Sequence, residues 1–159
     1  MMILSRFVLL ASMMLFSSVL APRPARATTF ANGEFLAYGG DDWGTSLSDA
    51  ALLMDAHFDD IYGQDGLNVG IFGAGGFSMT LTSATATRNY LPDVGTPGPL
   101  TADVADPQFT TSGIFGSHLV ALTLNVDMSD AGYLPRSFGV AFGDLVIGAD
   151  NSGQPALGA

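Results

Sequence analysis

The sequence predicts a single small α+β domain with a few helices and short β-strands, behind an amino-terminal targeting segment. Three observations lead to this prediction. The chain has 159 residues, of which 48% are hydrophobic, so its length suits one domain and its apolar content supports a core. One segment places apolar residues at helical spacing. Two short β-like runs flank a glycine-rich connection, which is typical of a hairpin.

The first 27 residues have the pattern of a secretory signal peptide. Arg6 precedes the apolar run 7–21, and Ala25-Arg26-Ala27 fits a cleavage site. This run is shorter than the roughly 20 residues that span a bilayer. We therefore expect a signal peptide over 1–27, a secreted domain over 28–149 and a C-terminal tail over 150–159. The protein would be secreted or held at the cell surface, with no membrane span after signal removal.

The chain beyond residue 27 is strongly acidic. It contains fourteen Asp and Glu34 against Arg88 and Arg136, and it has no Lys and no Cys. Affinity for nucleic acid or anionic lipid depends on Lys and Arg, so this charge excludes nucleic acid as a partner. Other surface proteins, glycans and a second copy of the chain stay open. The lack of Cys excludes disulfides, thiolate metal sites and cysteine nucleophiles.

The domain opens with a predicted strand near Glu34–Tyr38, followed by a loop through residues 39–44. That loop contains Trp43, the single tryptophan, which in a small domain we expect in the core rather than on a ligand.

A helix is predicted from about Asp49 to Ile61. Ser48 or Asp49 offers the N-cap, because a side-chain oxygen there can accept an unpaired backbone N–H, and Gly63 would end the helix. The apolar face consists of Ala51, Met54, Phe58 and Ile61. Leu52 and Leu53 fall outside this face, so we expect the helix to be covered on more than one side.

Two β-like runs, 66–72 and 77–82, are joined by the glycine-rich residues 73–76. Because glycine adopts positive φ freely, this connection predicts a hairpin. Residues 83–91 either continue the second strand or form a short helix, and 100–111 are expected to be irregular.

The segment 114–127 fits two structures. As a helix it has one apolar stripe, Phe115, Leu119, Leu122 and Val126. As a strand it alternates apolar and polar residues from Val120 onwards, and periodicity alone does not decide between the two. Residues 129–136 are predicted to be a loop and 138–147 a β-strand.

Seven phrases carry a family resemblance: DWG at 42–44, MTLTSA at 79–84, YLP at 90–92, GTPGPLT at 95–101, SGIFG at 112–116, LVALTLNVD at 119–127 and GDLV at 143–146. In this order they resemble a family of exported bacterial proteins whose role is not established. The resemblance implies a surface or secreted module of the kind often found beside sorting signals, with no catalytic residues. It also implies that LVALTLNVD is helical, which favours the helix for 114–127. The chain departs from the family after Val146, since no apolar or basic anchor follows Asn151.

The sequence offers weak candidates for catalysis. His57 and His118 are the only histidines, and neither lies in a G-x-S-x-G or H-E-x-x-H context. Glu34 together with an Asp could form the carboxylate pair of a glycosidase. At this density of Asp, however, solvated surface acids are the simpler interpretation.

Calcium is the one cofactor that the sequence suggests. Asp59, Asp60 and Asp65 cluster at the end of the first long helix, and calcium prefers carboxylate and carbonyl oxygens. Their spacing is not that of an EF-hand, because Tyr62 occupies the third position counted from Asp60. The alternative is that these aspartates cap turns through their own backbone.

The sequence therefore predicts an exported, non-enzymatic surface, structural or interaction module. The alternatives are a secreted carbohydrate-active hydrolase that uses Asp and Glu carboxylates, and a calcium-binding module. The expected core consists of Phe58, Leu81, Leu91, Phe115, Leu122 and Val126.

Overall fold

The computed structural model describes residues 35–73, 75–136 and 139–145. Its helices are α1 (Gly40–Gly44), α2 (Asp49–Tyr62), α3 (Ala84–Tyr90) and α4 (Ile114–Asp130), with a 3-10 turn at Phe142–Asp144. Its strands are β1 (Leu67–Gly70), β2 (Ser78–Leu81) and β3 (Val104–Ala105), which form one sheet in the order β1-β2-β3. The predicted α+β class is confirmed. The predicted signal peptide, Glu34 and the predicted tail lie outside the described residues.

Helix α2 begins and ends as predicted. The Ser48 side chain accepts a hydrogen bond from the backbone N–H of Ala51 at 3.0 Å, and Gly63 follows the last residue with a φ of 53°. Met54 and Phe58 are buried in the core. Leu52, however, lies exposed on the opposite side, so the expectation that this helix is covered on more than one side fails at that residue.

The predicted hairpin is confirmed. β1 and β2 pair antiparallel, with Leu67 opposite Leu81 and Val69 opposite Met79, and these four side chains are buried. Side chains two residues apart on a strand share a face, so this face of the hairpin lies on the core. β3 lies parallel to β2 inside the segment that was expected to be irregular.

Residues 83–91, for which the sequence allowed a strand or a helix, form α3. The Ser83 side chain accepts a hydrogen bond from the backbone N–H of Ala86 at 3.1 Å, and Tyr90 is buried at the end of the helix.

Helix α4 is confirmed as a helix, but its predicted buried stripe is wrong. Leu122 is 50% exposed and Phe115 is 52% exposed. Val126 is partly buried and packs near the 3-10 turn. The buried apolar residues of α4 are instead Val120, Ala121, Leu124 and Met128. Of the six residues expected in the core, Phe58, Leu81 and Leu91 are found there.

Small and polar residues explain which face of α4 is buried. Gly116, Ser117, Asn125 and Ser129 lie on the same face as the buried apolar residues. A Cβ on Gly116 would lie 2.3 Å from the hydroxyl oxygen of Tyr90, so only glycine permits this close approach of α4 to α3.

The amino-terminal part differs from the prediction. Residues 36–39 form no strand, and the expected loop that follows contains helix α1. The Asn125 side chain replaces a strand partner: its Oδ1 accepts from the backbone N–H of Tyr38 and its Nδ2 donates to the Tyr38 carbonyl, both at 2.8 Å. Trp43 is fully buried against Tyr38, as expected for a core residue.

The predicted strand over 138–147 is also not found where the chain is described. Phe142–Asp144 is a 3-10 turn, which packs on α4, whereas residues 138, 146 and 147 lie outside the described residues. Across the described segments, we find no helix that is both long and apolar enough to cross a bilayer.

Candidate functional site

The aspartates predicted to bind calcium do not come together as a metal site. In the described segments, no group of three or more acidic or histidine side chains is arranged to hold a metal ion. Asp59, Asp60 and Asp65 are exposed. The Asp60 carboxylate contacts the Nδ1 atom of His57 at 3.2 Å and accepts a hydrogen bond from the Tyr133 hydroxyl at 3.3 Å. Calcium binding stays a prediction, without a coordinating group in this part of the chain.

The two histidines, His57 and His118, do not lie together in one site. The His57 ring stacks on the Tyr133 ring with centroids 3.6 Å apart and an interplanar angle of 15°. This stack joins the last turns of α2 to the turn that follows α4. His118 is exposed on α4.

Next to this stack lies a shallow acidic cleft of about 450 Å³, lined by Tyr62, Asp127 and Asp130 among others. The Tyr62 hydroxyl donates a hydrogen bond to Asp127 at 2.9 Å. Burial raises the pKa of Asp127, the hydrogen bond from Tyr62 offsets part of the rise, and the charge of Asp130 adds to it. Burial and then the charge of Asp127 raise the pKa of Tyr62, so this hydroxyl keeps its proton.

The carboxylates of the acidic cleft come from two helices, Asp60 from α2 and Asp127 and Asp130 from α4, and activity as a glycosidase stays a prediction. Such enzymes place two carboxyl groups on opposite sides of the scissile bond. Asp127 and Asp130 come from neighbouring turns of one helix, and the hydrogen bond from Tyr62 ties Asp127 to α2. Glu34, the acid named for this chemistry, lies outside the described residues.

A larger cavity of about 890 Å³ lies between the far end of the hairpin and the first turns of α4. We call it the hairpin groove. Ile71 and Phe77 extend the core face of the two strands to form one wall, Phe115 and Leu119 form the helix wall, and Leu100 lies on a third side. The volume falls in the range of roughly 300–1,000 Å³ that is typical of ligand sites in proteins.

The hairpin groove is apolar and accessible. Ile71 is 63% exposed and Phe77 and Phe115 are also exposed, although they adjoin buried core residues. Folding therefore leaves apolar area in contact with water, at a cost of roughly 25 cal/mol per Å² relative to burial. Contiguous exposed apolar surface of this kind marks interaction sites.

One charged side chain, Asp103, stands among the described residues that line the groove. Its Oδ1 atom accepts hydrogen bonds from the Ser78 backbone N–H at 2.8 Å and from the Ser78 hydroxyl at 3.0 Å. Asp103 is thus held in place at the start of β2, while its side chain stays accessible.

The apolar surface continues beyond the groove along α4. Phe115, Leu119, Leu122 and Val126 follow one another at helical spacing, and we call them the outer stripe. Two of its residues, Phe115 and Leu119, line the groove, and Leu122 is half exposed further along. Phe115 and Leu122, which the sequence assigned to the core, are therefore exposed, whereas Leu119 packs partly buried against the core.

Sequence reasoning did not find the hairpin groove. The sequence predicts Ile71 and Phe77 as strand residues and places Asp103 in a segment that it predicts to be irregular. One signal was available: large apolar residues directly flank the glycine-rich connection of the hairpin, where strands usually become polar.

Comparisons with protein-family models, with curated proteins and with solved structures gave no match. The resemblance to exported bacterial modules therefore rests on the sequence phrases alone.

Proposed function

We propose that the protein is an exported, non-enzymatic interaction module that binds an apolar segment of a partner protein in the hairpin groove. The observation that carries this proposal is the continuity of a groove of about 890 Å³ with the outer stripe of α4. Export rests on the amino-terminal sequence pattern and binding rests on the groove.

The chemistry of the groove favours binding over catalysis. Its walls are apolar, and the one carboxylate among its described lining residues is held by Ser78. A catalytic acid or base needs a partner group within hydrogen-bond reach of a reacting atom. The titratable side chains His57, Asp60 and Asp127 lie instead around the separate acidic cleft.

The outer stripe favours a protein segment over a small molecule. A small ligand would fill the groove and leave Leu122 in water, whereas an extended or helical segment could cover the groove and continue along α4. A common mode of peptide recognition places the apolar face of a helical segment in a hydrophobic groove.

Binding to the groove can be tested with Nile red, an uncharged dye that fluoresces in apolar surroundings, and with a neutral peptide of Leu, Phe and Gln. We expect the full chain to bind the dye and the peptide to displace it. Phe115→Ser removes a groove wall and should weaken both interactions. Phe109→Ser is the matched control, because Phe109 is 79% exposed and does not line the groove.

Equal loss in both variants, or dye that the peptide does not displace, would contradict the proposal. Circular dichroism of both variants serves as the check that they are folded. An uptake of dye without any peptide binding would identify the groove as a site for small apolar molecules.

A further inference from the structure

The charge distribution indicates the kind of partner. Resting on the proposed function, we infer that the hairpin groove recognises a basic segment, in which apolar residues are flanked by Lys or Arg, with Asp103 as the anionic contact.

The described surface is strongly negative. Of the thirteen described aspartates only Asp93 is buried, and the cations among the described residues are Arg88 and Arg136. Arg88 is paired with Asp55, and Arg136 donates to the backbone carbonyls of Ser129 and Asp130. Both cations are thus already engaged. A negative surface of this kind raises the local concentration and the association rate of cationic partners.

Asp103 lies where it can contact an occupant of the groove. Its carboxylate lines an otherwise apolar groove, and the two hydrogen bonds from Ser78 already fix the orientation of this side chain before a partner binds. A Lys or Arg next to the apolar residues of an occupant would reach this carboxylate while its neighbours contact Phe115 and Leu119.

The same charge argues against a second copy of the chain as the occupant. Two identical surfaces with a large excess of aspartate would repel each other across the interface, and like charges brought together suppress association. A basic partner replaces this repulsion with attraction.

The test uses three synthetic peptides of equal length and equal Leu and Phe content, with Lys, Gln or Glu at the two flanking positions. Affinity for the full chain is measured by fluorescence anisotropy at low and at high salt. We expect the Lys peptide to bind about two- to fivefold more tightly than the Gln peptide at low salt, the range of an exposed ion pair. The Glu peptide should bind least, and the differences should shrink at high salt.

Asp103→Asn should remove much of the preference for Lys over Gln, because the amide oxygen can still accept from Ser78 but carries no charge. Asp106→Asn is the matched control. Asp106 also accepts from a backbone N–H and a hydroxyl of one residue, Thr82, but it does not line the groove.

The outcomes separate the two proposals. If the Gln and Lys peptides bind equally, the groove binds peptides but the inference of a basic partner is wrong. An Asp103→Asn variant that keeps the full preference for Lys would overturn the role of Asp103. If none of the peptides binds, the proposed function fails together with the inference. Self-association in sedimentation experiments that competes with the peptides would identify a second copy as the occupant.

Discussion

Replacing Leu122 or Leu124 on α4 by Ala tests which face of this helix is buried, because apolar periodicity and the structure give different answers. Leu124 is fully buried and Leu122 is 50% exposed, although both lie in the same helix and both would become Ala. Helix propensities of Leu and Ala differ little, so the two substitutions differ mainly in burial.

The magnitudes follow from the burial. Leu124→Ala removes the equivalent of about three methylene groups at ~0.8 kcal/mol each and leaves a cavity, so we expect a loss of about 3–5 kcal/mol. Leu122→Ala leaves no enclosed cavity, and half of the side chain is already in water, so we expect about 1 kcal/mol. For a domain of this size, 1 kcal/mol corresponds to roughly 4 °C in Tm.

Urea denaturation followed by circular dichroism measures both values. The slope of the free energy of unfolding against urea should be similar in the two variants, which shows that the midpoint reports stability. Equal losses, or a larger loss for Leu122→Ala, would refute the assignment of the buried face of α4.

Three further predictions concern other parts of the fold. Asn125→Ala should cost about 1–3 kcal/mol, because it leaves the partly buried backbone N–H and carbonyl of Tyr38 without their side-chain partner; a loss within error in urea denaturation would show that these two hydrogen bonds contribute little. Gly116→Ala should destabilise by about 1–3 kcal/mol despite its better helix propensity, because the new Cβ meets Tyr90; a higher Tm than that of the parent would contradict the close approach. For Asp127, the raised pKa means that the folded state binds its proton more tightly than the unfolded state, so this residue lowers stability as pH rises from its ordinary value near 3.8. The stability of Asp127→Asn relative to the parent should therefore increase with pH over this range, and a difference that is constant or decreases would show that the pKa is not raised.

Local signals predicted much of the fold. Helix α2 follows from the Ser48 cap, the apolar spacing and Gly63, and the hairpin follows from two β-like runs around glycines. Each of these elements is determined by residues close together in the chain, which is why the sequence alone suffices for them.

The predictions are wrong where the structure of a segment depends on residues that are distant in the sequence. On α4, large apolar residues occur on two sides, and the side that packs closest is the one with Gly116, Ser117 and Asn125, which a search for apolar spacing counts as interruptions. The segment around Tyr38 forms no strand because its partner is a side chain. The hairpin groove cannot be recognised from the sequence for the same reason. It lies between the hairpin and α4, which are far apart in the chain.

The hydrogen bonds between the Asn125 side chain and the Tyr38 backbone also determine when the domain can fold during synthesis. The two residues are separated by 87 positions, and ribosomes add about 5–20 residues per second, so the amino-terminal segment waits on the order of ten seconds for its partner to be made. During that interval helix α1 also lacks its contacts with α4. A nascent chain of this protein therefore cannot complete its core until α4 has been synthesised.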